Sequence, residues 1–132
     1  MSDRPQETVV TLVEDARMTA RIGEHEIAFD LPQPLGGHDT APSPTECFVT
    51  SIAACELFYA YRFLSRRGVA TDGATATITW ESSAKAVQRA RVVLSIPGGL
   101  DPSLVEGCLK MVRACFVTQS VEAGVEITTE IG

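Results

Sequence analysis

The chain has 132 residues, 45% of them apolar, and eleven Lys and Arg against seventeen Asp and Glu, a formal charge of −6. That supplies core enough for a single domain over residues 1–132, alone or as a dimer. With no basic cluster larger than Arg66-Arg67, nucleic acid is not an expected partner.

Residues 1–6 read as a frayed polar terminus, and MSDRPQETVV carries no basic-then-apolar leader pattern. No run is read as approaching a membrane span, so the expected location is the cytoplasm and no membrane partner is expected. Glu7–Leu12, Arg17–Ile22 and Glu26–Leu31 read as strands. The last two form a hairpin over Gly23-Glu24-His25, with Ile22, Ile27 and Phe29 spaced to share a buried face. Pro32–Ser43, with three prolines and two glycines, reads as a loop.

A long helix follows. Ser43 caps it, Pro44 takes its first position and Glu46 completes a Ser-x-x-Glu capping box. Arg62, Arg66, Arg67 and Gly68 mark its end. From Cys47 to Cys55 no side chain is charged, so this helix requires burial nearly all round, in a core or in a subunit interface.

Beyond Gly68, residues 74–80 (ATATITW) alternate as a strand and Arg89–Ile96 as another, ending at the turn Pro97-Gly98-Gly99. Asp101-Pro102 starts a second helix with Leu104, Val105, Cys108, Leu109 and Val112 on its apolar side. It falters near Cys115 and resumes through Gln119–Ala123. Gly124 stops it, and residues 125–131 (VEITTEI) close the chain as a strand. Three strands, a helix, two strands, a helix and a strand make an α+β fold, helices packed on antiparallel sheet.

Four cysteines in a reducing compartment are expected to be mostly free thiols. No pair is spaced C-x-x-C, and His25 and His38 stand far apart, so neither a structural zinc site nor a cofactor is expected. A buried cysteine usually serves as a small hydrophobe, which suits Cys47 and Cys108.

For Cys55 and Cys115 there is more. The pattern GGxxxxPSPxE…AAC, with RACxVxQS later in the chain, resembles the OsmC/Ohr superfamily, including the organic hydroperoxide resistance proteins. The likeness covers nearly the whole chain. It implies an intertwined homodimer, with antiparallel sheets packed on two central helices and active sites at the subunit interface. It further implies a thiol-dependent organic hydroperoxide reductase of the oxidative stress response. Cys55 would be the peroxidatic cysteine and Cys115 the resolving one, the two joining in a disulfide. The implied partners are an organic hydroperoxide and a dithiol reductant, small or protein-bound, such as a lipoylated protein.

A thiolate attacks the peroxide O–O bond to give a sulfenic acid, which condenses with a second thiol. A thiol buried mid-helix needs a cation for this, because burial suppresses the thiolate. By the same resemblance the cation is an arginine of the N-terminal hairpin, Arg21 before Arg17, held by a glutamate. That acid usually follows the loop proline directly; here Thr45 does, and Glu46 comes one residue later, turned by roughly 100° on a helix. As the capping-box acid, Glu46 also has a purely structural role. The alternative function is an OsmC-fold protein that binds an apolar small molecule, with Phe58, Tyr59, Tyr61 and Phe63 lining the pocket, or that performs other thiol chemistry. A third option is a thiolate metal site built from Cys55, Cys115 and a histidine.

Overall fold

A computed structural model describes residues 6–132, so the terminus expected to be frayed lies outside it except for the exposed Gln6. Two compact units divide between Phe48 and Val49.

The first unit is a three-stranded antiparallel sheet in the order β1-β2-β3, formed by Val9–Glu14, Arg17–Ile22 and His25–Phe29. Ile22 pairs with His25, which leaves Gly23-Glu24 as the turn, and Gly23 supplies the required positive φ of 61°. Register puts Ile22, Ile27 and Phe29 on one face, as their spacing predicts. That face holds Ala20, the buried residue of this sheet, with Met18 and Phe29 half-buried, while Ile22 and Ile27 at its end are exposed within one chain.

Asp30 organises the loop that follows. Its carboxylate, almost fully buried, accepts hydrogen bonds from the amides of Leu31, His38 and Thr40 and from the Thr40 hydroxyl. These bonds hold the carboxyl well below the usual acid range. Gly37 is required here, since a Cβ would lie 1.9 Å from the Leu31 carbonyl oxygen.

The loop delivers the chain to α1, Pro44–Ser65, 22 residues long. The capping box forms as predicted: the Ser43 amide donates to Glu46 Oε1 at 2.9 Å, and the Glu46 amide donates to Ser43 Oγ at 3.2 Å. One expectation about this helix needs correction. By length and composition it is apolar enough to cross a membrane. Within one chain it is also covered on one side only: Val49, Ala53, Ala60, Phe63 and Leu64 are buried, whereas Phe58 and Tyr61 are each 50% exposed.

The second unit contains the rest of α1, a hairpin of β4 (Thr75–Ser82) and β5 (Val87–Ser95), and two further helices, α2 (Pro102–Arg113) and α3 (Phe116–Ala123). Its core joins Ala60, Phe63 and Leu64 of α1 to Cys108 and Val112 of α2, with Leu94, Ile96, Leu100 and Leu104 packed around them. Burying a side chain the size of Leu64 contributes about 1.5–3 kcal/mol. The helices approach at Gly107, where a Cβ would fall 2.8 Å from Phe63 Cζ. Arg67 lies 3.6 Å above the ring of Phe63 and donates to its carbonyl. Asp101 caps α2 by accepting from the Ser103 amide at 2.9 Å.

The expected final strand is absent. Residues 125–132 have no regular secondary structure, and Ile127 is 80% exposed. A strand exists only where a neighbour takes up its amides and carbonyls, and among the described residues none pairs with this segment.

Candidate active site

Cys55 lies in the middle of α1 and is half-buried; Cys115 is fully buried at the N-cap of α3. Their positions follow from the breaks in the chain. α2 ends at Arg113, Ala114 makes the corner, and the Cys115 amide bonds back to Val112 at 2.9 Å before α3 begins. At this corner the Cys115 thiol comes near enough to Cys55 to act on its pKa. Both cysteines, like Cys47 and Cys108, are free thiols.

The Cys115 side chain does not cap its own helix. The amides of Val117 and Phe116, first-turn donors of α3, lie near enough to the Cys55 sulfur to lower its pKa. Two opposing influences therefore act on this thiol. Burial pushes its pKa up, the neighbouring Cys115 thiol pushes the same way, and the two amides pull it down. The net direction is upward. Cys108 is also pushed up by burial, against a smaller pull from Arg67. It sits in the core beside Val112, as expected of an inert thiol.

The hairpin arginines belong to the first unit. Arg17 and Arg21 share a face of β2, as the strand period predicts. Arg17 is engaged, donating to the Thr40 hydroxyl at 2.6 Å, and Thr40 in turn donates to Asp30. Arg21 is exposed, stands opposite Glu26 in register, and its guanidinium makes no hydrogen bond or ion pair among the described residues. Glu46 is held below its ordinary pKa by the Ser43 amide and hydroxyl.

The aromatic set proposed to line a pocket divides. Phe63 is part of the core, while Phe58 stacks edge-on to Tyr59 and tilted to Tyr61 at half-exposed positions. Among the described residues, no three His, Cys, Asp or Glu side chains gather closely enough to hold a metal ion.

Sequence reasoning passed over Glu56 and Thr118. Glu56 follows Cys55 directly, and Thr118 Oγ1 donates to Glu56 Oε2 at 2.6 Å. The available signal was a lone acid amid an apolar helix.

These features define a class: an α+β protein in which two helix-borne thiols meet. The family model for OsmC-like protein matches residues 37–130, and the chain belongs to that family. It is similar to a Psychrobacter arcticus 273-4 protein described as an osmotic stress induced and detoxification response protein, with 26% identity and a TM-score of 0.79, covering 86% of this chain and 85% of that one. An OsmC-like protein from Mycoplasma pneumoniae shares the fold at 19% identity and TM-score 0.75, over 94% and 91% of the two chains. So does the organic hydroperoxide resistance protein OsmC from Legionella pneumophila, at 14% identity and TM-score 0.67, over 97% and 96%. No curated protein sequence matches the chain.

Proposed function

We propose that this protein is a cysteine-based thiol peroxidase that reduces organic hydroperoxides, with Cys55 peroxidatic and Cys115 resolving. The observation that carries the reading is the meeting of the two thiols at the first turn of α3. Family membership and the name of the Legionella relative support it. The Cys55 thiolate attacks the O–O bond of ROOH, forming an S–O bond and releasing RO⁻, which takes a proton to become the alcohol. The Cys115 thiol then attacks the sulfenic sulfur; an S–S bond forms and water leaves. A dithiol, small or lipoyl-bound, returns the disulfide to two thiols.

The two units form one OsmC-like domain, and two copies form a homodimer in the cytoplasm. Dimerisation covers the open side of α1, which makes this apolar helix an interface element and not a membrane span; Glu56 and Arg62 interrupt its apolar surface. Because burial drives the Cys55 thiol upward, turnover at neutral pH requires a cation. Arg21 of the partner subunit supplies it, Arg17 being engaged with Thr40. Glu46 meets that guanidinium through the carboxylate oxygen that does not accept from Ser43.

The test is consumption of cumene or tert-butyl hydroperoxide with dihydrolipoamide, compared with hydrogen peroxide. Fast organic-peroxide turnover, abolished in Cys55→Ser, is the expected result. A folded protein with titratable Cys55 and no turnover would leave the binding alternative in its place.

A further inference from the structure

We propose that Glu56 and Thr118 form a clasp whose task is to hold Cys115 against Cys55 during disulfide formation. The inference rests on the thiol-redox reading above and assigns it two positioning residues.

Few other contacts fix α3. It is eight residues long, contains no buried residue, and leaves Phe116 72% exposed. Its N-cap side chain makes no capping bond. Packing of an apolar face, the usual anchor of a short helix, is therefore weak here. Gln119 Nε2 donates to the Arg113 carbonyl at 2.8 Å and ties this turn to the end of α2, and two contacts join it to α1. One is the approach of the Val117 and Phe116 amides to the Cys55 sulfur. The other is the 2.6 Å, partly buried hydrogen bond from Thr118 to Glu56, short as expected for a hydroxyl donating to a carboxylate.

The two contacts fare differently during the reaction. The first depends on Cys55 as a thiol or thiolate, and it changes once the sulfur carries a hydroxyl or enters a disulfide. The second does not involve sulfur. Glu56 is anchored to α1 beside Cys55, and Thr118 lies three positions beyond Cys115, one helical turn away. The clasp thus keeps the Cys115 sulfur in range through the interval when the sulfenic acid awaits attack. Displacing a reacting group by about 1 Å costs up to about a hundredfold in rate, so a single well-placed bond is sufficient to matter.

The experiment separates the two chemical steps in the full-length protein. Thr118→Val removes the hydroxyl with little change in shape, Glu56→Leu removes the acceptor from the other side, and Thr118→Ser restores the donor. One equivalent of cumene hydroperoxide is added, and peroxide loss is followed alongside Cys55 sulfenic acid trapped with dimedone. A second arm uses diamide, which oxidises paired thiols to a disulfide without any peroxide. The expected result is that Thr118→Val and Glu56→Leu form the Cys55–Cys115 disulfide at least about tenfold more slowly in both arms. In the peroxide arm the sulfenic adduct accumulates in these variants, peroxide loss stays within about twofold of wild type, and Thr118→Ser recovers the wild-type disulfide rate. Wild-type disulfide rates in either deletion variant, or no recovery with serine, would overturn the clasp. An inert hydroperoxide arm would overturn the peroxidase reading alone, because the diamide arm still decides the clasp. If one deletion variant fails to fold, the other decides it.

Discussion

The thiols of Cys55 and Cys115 lie near enough to act on each other although β4, β5 and α2 separate them in the chain, the corner at Ala114 placing Cys115 at the start of α3. A resolving thiol held in reach of a nucleophile commits the oxidised state to a disulfide and protects the sulfur from over-oxidation. Cys115→Ser should therefore still consume one equivalent of organic hydroperoxide, then accumulate sulfenic and sulfinic forms of Cys55, read by intact mass. Cys108→Ser should leave turnover unchanged, since Cys108 lies in the core with Ala60 and Leu64.

Activation of Cys55 by Arg21 has a measurable signature in pH. Burial and Cys115 raise the thiol; in the proposed dimer a guanidinium brought by the partner subunit would lower it. Arg21→Ala should move the alkylation midpoint of Cys55 with iodoacetamide upward by about 1–3 pH units. Arg17→Ala should move it much less, because Arg17 is committed to Thr40. An unchanged midpoint in both variants contradicts arginine activation.

The protein should be a homodimer at micromolar concentration. In one chain Val9, Val10, Leu12 and Val13 of β1 are more than half exposed, and Phe58 and Tyr61 of α1 are each 50% exposed, apolar side chains that an interface would cover. Sedimentation should give about twice 14.1 kDa. A well-folded monomer would contradict the interface role of α1.

Gly107→Ala should destabilise the fold by about 1–3 kcal/mol in denaturant titration. The new Cβ would meet the Phe63 ring at 2.8 Å, and that ring is held between the core and the Arg67 guanidinium. Val112→Ala, at a neighbouring core position, acts instead by leaving a cavity and should cost a comparable amount.

Acid should unlock the loop built on Asp30. Its folded pKa lies below the ordinary value near 3.8, so its contribution is fully present above that value and is lost as pH falls through the folded value. The melting temperature of wild type should fall steeply below about pH 4. Asp30→Asn should start from a lower melting temperature at pH 7 and lose less on acidification. Parallel curves for the two proteins would contradict the assignment.

Legibility from sequence followed the range of the interactions. The Ser43–Glu46 capping box and the Asp101 cap were readable because each is complete within four residues of chain. The strand periods of β2, β4 and β5 were readable for the same reason. Terminal residues 125–131 alternate as a strand does, yet alternation cannot supply the neighbour that a ladder needs. The charge-free stretch of α1 announced the need for cover and not its source. The Glu56–Thr118 bond joins residues 62 positions apart, and no local pattern announces such a pair.

The pairing of Cys55 with Cys115 is the central claim. The measurement that tests it most directly is peptide mapping by mass spectrometry under non-reducing conditions, after one equivalent of cumene hydroperoxide and alkylation of remaining thiols. The predicted result is one disulfide linking the Cys55 and Cys115 peptides, with Cys47 and Cys108 recovered as alkylated thiols. Recovery of all four thiols, or a disulfide involving Cys47 or Cys108, would contradict it.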